Sequence, residues 1–216
     1  MDRTFQKFLR SGVDLLPLGI ERRADNTPYF CTPKGATIFA WAGVDGIHFC
    51  FIRGFGGMVF AVSPMNGTPN EVHPIAKDFT DFLRLLLACG DAAALEQAWS
   101  WDETQFETFL RENPPTQEQQ RSLSELAAKM KLTPMERPWA YIRELQDSFD
   151  YGRIRYTEDY YDTEMNPSVK PAPEWKACFE GGFRWCSGKD RAGIEIRLDR
   201  QFDWAGHFWV APAAYS

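Results

Sequence analysis

The sequence predicts an α+β fold in which an antiparallel sheet packs against a helical block and a β-rich C-terminal extension follows. Three observations support this prediction. Short apolar segments separated by glycine-containing turns occupy residues 38–62, which is typical of antiparallel strands. Apolar residues recur at helical spacing between residues 74 and 149. Apolar and charged residues alternate over residues 194–199, as in a strand with one wet face.

The predicted sheet is a meander of antiparallel strands. Strands are predicted over residues 38–41, 47–52 and 58–62. Asp45 and Gly46 tolerate the positive φ that a hairpin turn requires, so they are expected to connect the first two strands. Alternation along the second strand places Phe49 and Phe51 on one side and His48 on the other. One side of the sheet is therefore expected to face the helices.

The helical block is predicted from apolar stripes and from residues that begin and end helices. Asp78 is a typical N-cap and Gly90 a typical C-terminal residue of the strongest helix. Thr116 and Gln119 have the spacing of a capping box. Helices are expected over residues 2–12, 78–89, 92–99, 102–112, 116–130 and 133–149, the last with Pro138 as an alternative first turn.

The chain is expected to organise as a main domain over residues 1–150 and a second region over residues 151–216 packed on it. The second region begins with an acidic, tyrosine-rich connector. Three prolines between residues 166 and 173 indicate a linker or a rigid crossing. The remaining residues are aromatic and β-like, with a strand near residues 194–198 and a partner strand at residues 208–210.

Composition excludes several classes of protein. The formal net charge is −6, which argues against a basic nucleic-acid-binding protein. No apolar run approaches the roughly 18 residues of a membrane span, and the N-terminus lacks a secretory signal. The five cysteines are odd in number and form no CxxC, so a reducing cytoplasm is the expected location. Nucleotide-binding and metal-binding motifs are absent from the sequence, and no cofactor is expected.

Residues 38–90 read IFAWAGVDGIHFCFIRGFGGMVFAVSPMNGTPNEVHPIAKDFTDFLRLLLACG. A strand leads to the turn Gly43-Val44-Asp45-Gly46, two more strands follow, and a proline-containing loop precedes an FxxFL helix at residues 79–83. This order of parts resembles the SUKH superfamily, which includes cell-wall-synthesis regulators and toxin-immunity proteins. The resemblance covers about a quarter of the chain, and residues 174–216 have no counterpart in it. It implies an α+β binding module and transfers no catalytic residue.

An acidic, tyrosine-rich stretch is the leading candidate for a binding surface. Over residues 147–164, six acids stand against Arg153 and Arg155, which leaves a local charge of −4. Acidic charge steers the encounter with a basic partner such as a toxin domain, and tyrosines anchor contacts. The alternative is a solvated segment whose tyrosines pack on the core. The candidate partner-binding residues are Asp150, Tyr151, Tyr156, Glu158, Asp159, Tyr160, Tyr161 and Asp162.

A small pocket is the candidate site for an alternative enzymatic function. His48 could act as a base oriented by Asp45, and Cys50 lies on the same side of the strand as His48. Positions i and i+2 of a strand stand about 6–7 Å apart, which is too far for a tight pair. Core or pocket lining is therefore the competing interpretation of these three residues.

The C-terminal aromatic residues allow a third interpretation. If exposed, they could stack on sugar rings as a glycan-binding module; if buried, they would form a small core. The residues concerned are Trp175, Phe179, Phe183, Trp185, Phe202, Trp204, Phe208 and Trp209. The leading functional prediction is a non-catalytic cytoplasmic protein-binding module, of the immunity or regulatory type that the SUKH resemblance implies. Neither nucleic acid nor membrane is an expected partner.

Overall fold

The structure is a computed structural model that describes residues 3–42 and 45–162, together with the backbone of residues 176–180, 183–189, 195–202 and 208–210. The chain divides into two compact units, Met1–Asn166 and Pro167–Ser216. An antiparallel sheet and a helical block make up the first unit, and a second antiparallel sheet makes up the described part of the other. The α+β prediction is confirmed, as is the β-rich C-terminal extension.

Four antiparallel strands form the first sheet in the order β1-β2-β3-β4. They are β1 (Ala36–Trp41), β2 (His48–Ile52), β3 (Val59–Val62) and β4 (Val72–Ala76). The predicted turn is present between the first two, with Asp45 at φ 57° and Gly46 at φ 71°, in the left-handed region. The predicted meander is confirmed for the first three strands.

The fourth strand corrects the sequence prediction, which wrongly began the helical block at residue 74. Pro74 pairs with Phe60 of β3 inside β4. Proline lacks the N–H that a central strand needs, but β4 lies at the edge of the sheet and tolerates it. The carbonyl of Pro74 instead accepts a hydrogen bond of 3.2 Å from the Gln146 side chain.

Seven α-helices occur among the described residues. They are α1 (Arg3–Ser11), α2 (Phe79–Cys89), α3 (Ala92–Gln97), α4 (Glu103–Glu112), α5 (Gln117–Met130), α6 (Pro138–Asp147) and α7 (Glu158–Asp162). The predicted caps are confirmed: Asp78 accepts from the N–H of Asp81, Gly90 ends α2 in the left-handed conformation, and Thr116 forms a capping box with Gln119. None of the described helices has the length and apolar character needed to cross a bilayer.

The two faces of the first sheet bury separate clusters. The helical face packs against α1, α2 and the helices beyond them, and its strand residues are Phe39, Ala40, Phe49, Phe51, Val59, Ala61, Ile75 and Ala76. The opposite face, which we call the loop-covered face, lies under residues 29–33 and 149–160, which are irregular apart from a 3-10 turn at Tyr151–Arg153 and the start of α7. Its apolar strand residues are Ile38, Trp41, Cys50, Ile52, Phe60, Val62 and Val72.

The second unit contains four antiparallel strands in the order β5-β6-β7-β8. They are β5 (Lys176–Glu180), β6 (Phe183–Lys189), β7 (Glu195–Phe202) and β8 (Phe208–Val210). The predicted pairing of the last two strands is confirmed, with Phe202 opposite Phe208. Side chains of this unit lie outside the described residues, as do Trp175 and Trp204, so the glycan-binding interpretation concerns residues that the structure does not describe.

Candidate functional site

The acidic-tyrosine segment, residues 147–162, is pinned across the loop-covered face. Asp150 caps the 3-10 turn that begins at Tyr151, because its carboxylate accepts a 3.1 Å hydrogen bond from the N–H of Gly152. The Arg153 guanidinium lies 4.7 Å from the centre of the Phe55 ring and donates to the carbonyl of Gly54 at 3.3 Å. The carbonyl of Arg155 accepts from the N–H of Lys34 at 2.7 Å. These contacts give the segment a defined path, although beyond the end of α6 its regular secondary structure is limited to the 3-10 turn and the short helix α7.

Two of the four candidate tyrosines anchor the segment to the core. Tyr160 is only 6% exposed, and its hydroxyl donates to a carboxylate oxygen of Glu71 at 3.3 Å. Tyr156 is half-buried and stacks on Tyr160 with ring centres 3.9 Å apart. Burial, assisted by the neighbouring Tyr160 and Glu71, raises the pKa of the Tyr156 hydroxyl. These two rings therefore support the segment rather than present themselves to a partner.

The other two tyrosines are presented to solvent. Tyr151 is 38% exposed and Tyr161 is 45% exposed. The Tyr161 ring meets Tyr160 edge to face at 5.3 Å, and the Tyr151 ring meets Phe149 in the same manner at 5.0 Å. Both rings are thus oriented by aromatic neighbours, the buried Tyr160 and the half-buried Phe149, which lowers the entropy that an incoming partner would have to remove.

Carboxylates surround the two exposed rings. Asp150, Glu158 and Asp159 are exposed, and Asp147 forms an exposed ion pair of 3.2 Å with Arg143. Asp162 ends α7, and its side chain lies outside the described residues, as does Glu164. Five acids and two arginines in residues 147–162 leave a charge of −3 on this segment.

Glu71 is the residue of this region that the sequence did not single out. It is 1% exposed, and its carboxylate accepts hydrogen bonds from the hydroxyl of Thr68 at 2.5 Å and from Tyr160. A buried carboxylate needs such donors, since an uncompensated buried charge is costly. Because 89 residues separate Glu71 from Tyr160 along the chain, no local spacing could have indicated the pair.

His48 of the predicted pocket is enclosed in the loop-covered face. It is fully buried, its Nδ1–H donates to the carbonyl of Gly46 at 2.8 Å, and its Nε2 accepts from the hydroxyl of Thr32 at 3.1 Å. The same hydroxyl oxygen accepts from the N–H of Tyr29 at 2.8 Å. Burial lowers the pKa of His48, so the ring is held neutral. Both ring nitrogens are occupied by structural hydrogen bonds, and neither is available to a substrate.

Asp45 and Cys50 do not complete a pocket around His48. Asp45 is exposed in the hairpin turn and is not a hydrogen-bond partner of His48. Cys50 is fully buried, and burial together with neighbouring Cys31 raises the pKa of its thiol. A thiol in such surroundings is a poor nucleophile, because the thiolate is the reactive form. Asp45 lies in the turn, His48 at the start of β2 and Cys50 in its middle, and the three do not converge on a solvent-accessible point.

A second buried polar cluster lies where β4 meets α3. His73 stacks on Trp99 with ring centres 4.6 Å apart, donates to the carbonyl of Asn70 at 2.9 Å and accepts from the Tyr151 hydroxyl at 3.3 Å. Burial lowers the pKa of His73 to about 4. Glu96 in α3 is 4% exposed, and burial raises the pKa of its carboxyl, an effect that its hydrogen bond from Gln97 partly offsets. Neither residue was a candidate in the sequence.

Among the described residues, no three His, Cys, Asp or Glu side chains group around a common point that could hold a metal ion.

Comparison with known proteins finds no matching family model, no matching curated protein and no matching solved structure. The function of the chain is therefore inferred from its own surface. In the described part, that surface offers oriented, exposed tyrosines among carboxylates on the segment over residues 147–162.

Proposed function

We propose that this chain is a non-catalytic protein-binding module that docks a basic partner protein through the acidic-tyrosine segment. One observation carries the proposal: Tyr151 and Tyr161 are exposed beside carboxylates while their rings pack edge to face on Phe149 and Tyr160. Tyrosines are enriched at the centres of protein interfaces, where they bury a large area with few rotatable bonds. The surrounding carboxylates would accelerate the encounter with a positively charged surface.

The partner class that suits this surface is a basic toxin domain, such as a nuclease, bound by a cytoplasmic immunity protein of the SUKH type. The resemblance of residues 38–90 supports this choice, and so does the −3 charge of residues 147–162. Cys31, Cys50 and Cys89 are free thiols, which agrees with a reducing compartment. If the chain is such an immunity protein, the gene of its toxin partner should lie beside its own gene.

Binding to neighbouring toxin domains tests the proposal directly. The purified full chain would be titrated by calorimetry with each basic toxin domain encoded next to it. Two variants remove the proposed contacts, Tyr161→Ala for the exposed ring and Glu158→Lys for the exposed charge. We expect each to weaken binding by about tenfold, because central aromatic residues and interfacial charges commonly contribute 1–2 kcal/mol or more.

Matched control variants distinguish a loss of specific contacts on the acidic-tyrosine segment from a general effect of side-chain truncation or charge change. Met65→Ala removes a side chain that is 66% exposed elsewhere, and Glu112→Lys makes the same charge change at the exposed end of α4. Neither control should alter affinity by more than about twofold. The proposal is refuted if no neighbouring basic domain binds, or if the controls weaken binding as much as the test variants.

A further inference from the structure

A basic groove runs along the opposite end of the first unit from the hairpin turn of Asp45. It consists of two adjoining cavities of about 520 and 800 Å³, which share Arg3. The first lies between α1 and the end of α5, and the second reaches the start of β1 and the end of β2. The cations that line the groove are Arg3, Lys7, Arg10, Arg53 and Lys129.

The positive charge of this groove is largely unneutralised. Lys129 pairs with Glu125 at 2.5 Å, whereas the other four cations form no ion pair with any described carboxylate. Asp78 is the one acidic residue lining either cavity, and its carboxylate already caps α2. The groove therefore gathers five cations around a single acid in a chain whose net charge is −6.

Three cations of the groove lie on the exposed face of α1, and two of the five also bridge α1 and α5: Lys7 donates to the carbonyl of Met130 at 3.1 Å and Lys129 to that of Ser11 at 2.8 Å. Positions 3, 7 and 10 of α1 share one face, while Phe5 and Phe8 bury the opposite face in the core. Arg53 lies against Gly35, to whose carbonyl its backbone N–H donates at 3.1 Å. Gly35 adopts φ +83°, a conformation that other residues rarely take. Both residues line the second cavity.

The groove reaches an exposed sheet edge. Gly35, Ala36 and Thr37, at the start of β1, line the second cavity, and β1 is an edge strand. Within the described residues, β1 makes backbone contacts at two places besides its pairing with β2: Trp41 bridges Glu21, and the N–H of Ala36 donates to the carbonyl of Pro33 at 3.0 Å. Edge strands present backbone groups to which an extended peptide can add as a further strand.

An acidic polypeptide fits this surface better than a nucleic acid does. Single-stranded nucleic acids are held by aromatic side chains on which the bases stack. Phe51 is the one aromatic residue lining the two cavities, and it packs against Phe5 at 5.3 Å. The extended backbone of β1 between Ala36 and Trp41 and the four cations without an ion pair to a described carboxylate match a chain of alternating acidic and apolar residues.

We propose that the groove formed by α1, the end of α5 and the start of β1 binds an extended acidic segment of a partner protein, which adds to the edge of β1. This surface is separate from the acidic-tyrosine segment and takes a partner of opposite charge. Its test uses different variants, so failure of either proposal leaves the other standing.

Fluorescence anisotropy with a labelled 12-residue peptide of alternating glutamate and valine tests this proposal on the full chain. The triple variant Lys7→Glu, Arg10→Glu, Arg53→Glu reverses three cations of the groove. We expect it to weaken peptide binding by about tenfold or more, and added salt to weaken binding to the unaltered protein. A matched control makes the same change of charge at exposed positions outside the groove, with Arg22→Glu, Arg111→Glu and Arg121→Glu. This control should weaken peptide binding less than threefold.

Three further arms decide the outcome. If the glutamate variant loses its helical circular dichroism, the triple variant Lys7→Gln, Arg10→Gln, Arg53→Gln replaces it. This glutamine variant should also weaken peptide binding. Equal losses in the test and control triples would show a net-charge effect and overturn the proposal. Tighter binding of a labelled 12-nucleotide oligo(dT) would assign the groove to nucleic acid. The chain could instead dimerise through the groove. Dimerisation that rises with concentration, is abolished by the groove variants and is inhibited by the peptide would assign the groove to a second copy of the chain and overturn the proposal.

Discussion

The helical face and the loop-covered face of the first sheet use the same four strands but bury different chemistry. On the helical face, phenylalanine rings meet edge to face, as Phe39 does with Phe79 and Phe82 at 5.5 and 5.6 Å. On the loop-covered face, the polar groups of Thr32, His48 and Glu71 are buried and hydrogen-bonded. Regular helices cover the first face, whereas irregular segments cover the second.

This difference shows how one sheet supports two kinds of structure. Helices satisfy their own backbone hydrogen bonds, so the face beneath them needs only apolar side chains. An irregular segment has unpaired backbone groups and needs specific polar partners, such as the Thr32 hydroxyl for the N–H of Tyr29. On the same face, Glu71 holds the segment that carries the candidate docking surface, because its carboxylate accepts from the Tyr160 hydroxyl.

Truncating a large ring on each face gives the largest expected effect. Phe82→Ala on the helical face and Phe60→Ala on the loop-covered face both remove fully buried rings. We expect Phe82→Ala to lower the free energy of unfolding by about 4 kcal/mol and Phe60→Ala by about 3 kcal/mol, because an irregular cover collapses into a cavity more readily than packed helices do. Urea denaturation measures both; a larger loss for Phe60→Ala would contradict the comparison.

The pH dependence of stability should report His73, which joins β4 to the acidic-tyrosine segment through Tyr151. Its pKa is lowered to about 4 in the folded state from an ordinary 6.5, so the unfolded chain takes up the proton first. The contribution of neutral His73 to the free energy of unfolding is complete above pH 6.5. It is lost as the pH falls towards 4, by roughly 3 kcal/mol for this shift. His73→Gln should remove that part of the pH dependence in urea titrations between pH 7 and 4. Parallel curves for the two proteins would show that His73 does not titrate in this way.

The hydrogen bond between Thr32 and His48 tests the polar support of the loop-covered face. Thr32→Val keeps the shape of the side chain but leaves Nε2 of His48 and the N–H of Tyr29 without partners. We expect a loss of about 2 kcal/mol in the free energy of unfolding, the typical penalty for unsatisfied buried polar groups. Thr37→Val, at an exposed position of β1, is the matched control and should change stability by less than about 0.5 kcal/mol.

Glu96 gives the smallest effect and one of opposite sign. Burial raises the pKa of its carboxyl above the ordinary glutamate value, so ionisation of Glu96 disfavours the folded state. Glu96→Gln should stabilise the protein modestly at pH 7, and the gain should disappear once the pH falls below the ordinary glutamate pKa. Thermal unfolding at pH 7 and pH 4 measures the difference; a gain that persists at pH 4 would point to packing instead of charge.

The sequence predicted the helical face far better than the loop-covered face. Asp78, Gly90 and Thr116 begin or end helices through local hydrogen bonds, and their signals lie within a few residues of the element they define. The edge strand β4 was missed because Pro74 is read as a strand breaker unless the position of the strand in the sheet is known.

The candidate site was predicted only in part, for a related reason. The acids and tyrosines of residues 147–162 were recognised from composition, but composition does not distinguish the buried Tyr160 from the exposed Tyr161. That distinction depends on Glu71 and Phe30, which approach from distant parts of the chain. Irregular segments have no periodicity, so their contacts become visible only with the fold.

The attachment of the acidic-tyrosine segment has a consequence for motion. The stacked Tyr156 and Tyr160 rings and the bond to Glu71 tie it to the sheet, with no strand pairing along its length. Segments held by few backbone bonds open locally at a lower free energy than the surrounding core, and amide hydrogen exchange measures that opening. A partner bound to Tyr161 would bind only the form in which the segment is packed on the sheet. It would therefore lower the population of the opened segment, and amide hydrogen exchange at Tyr160 would slow by the same factor.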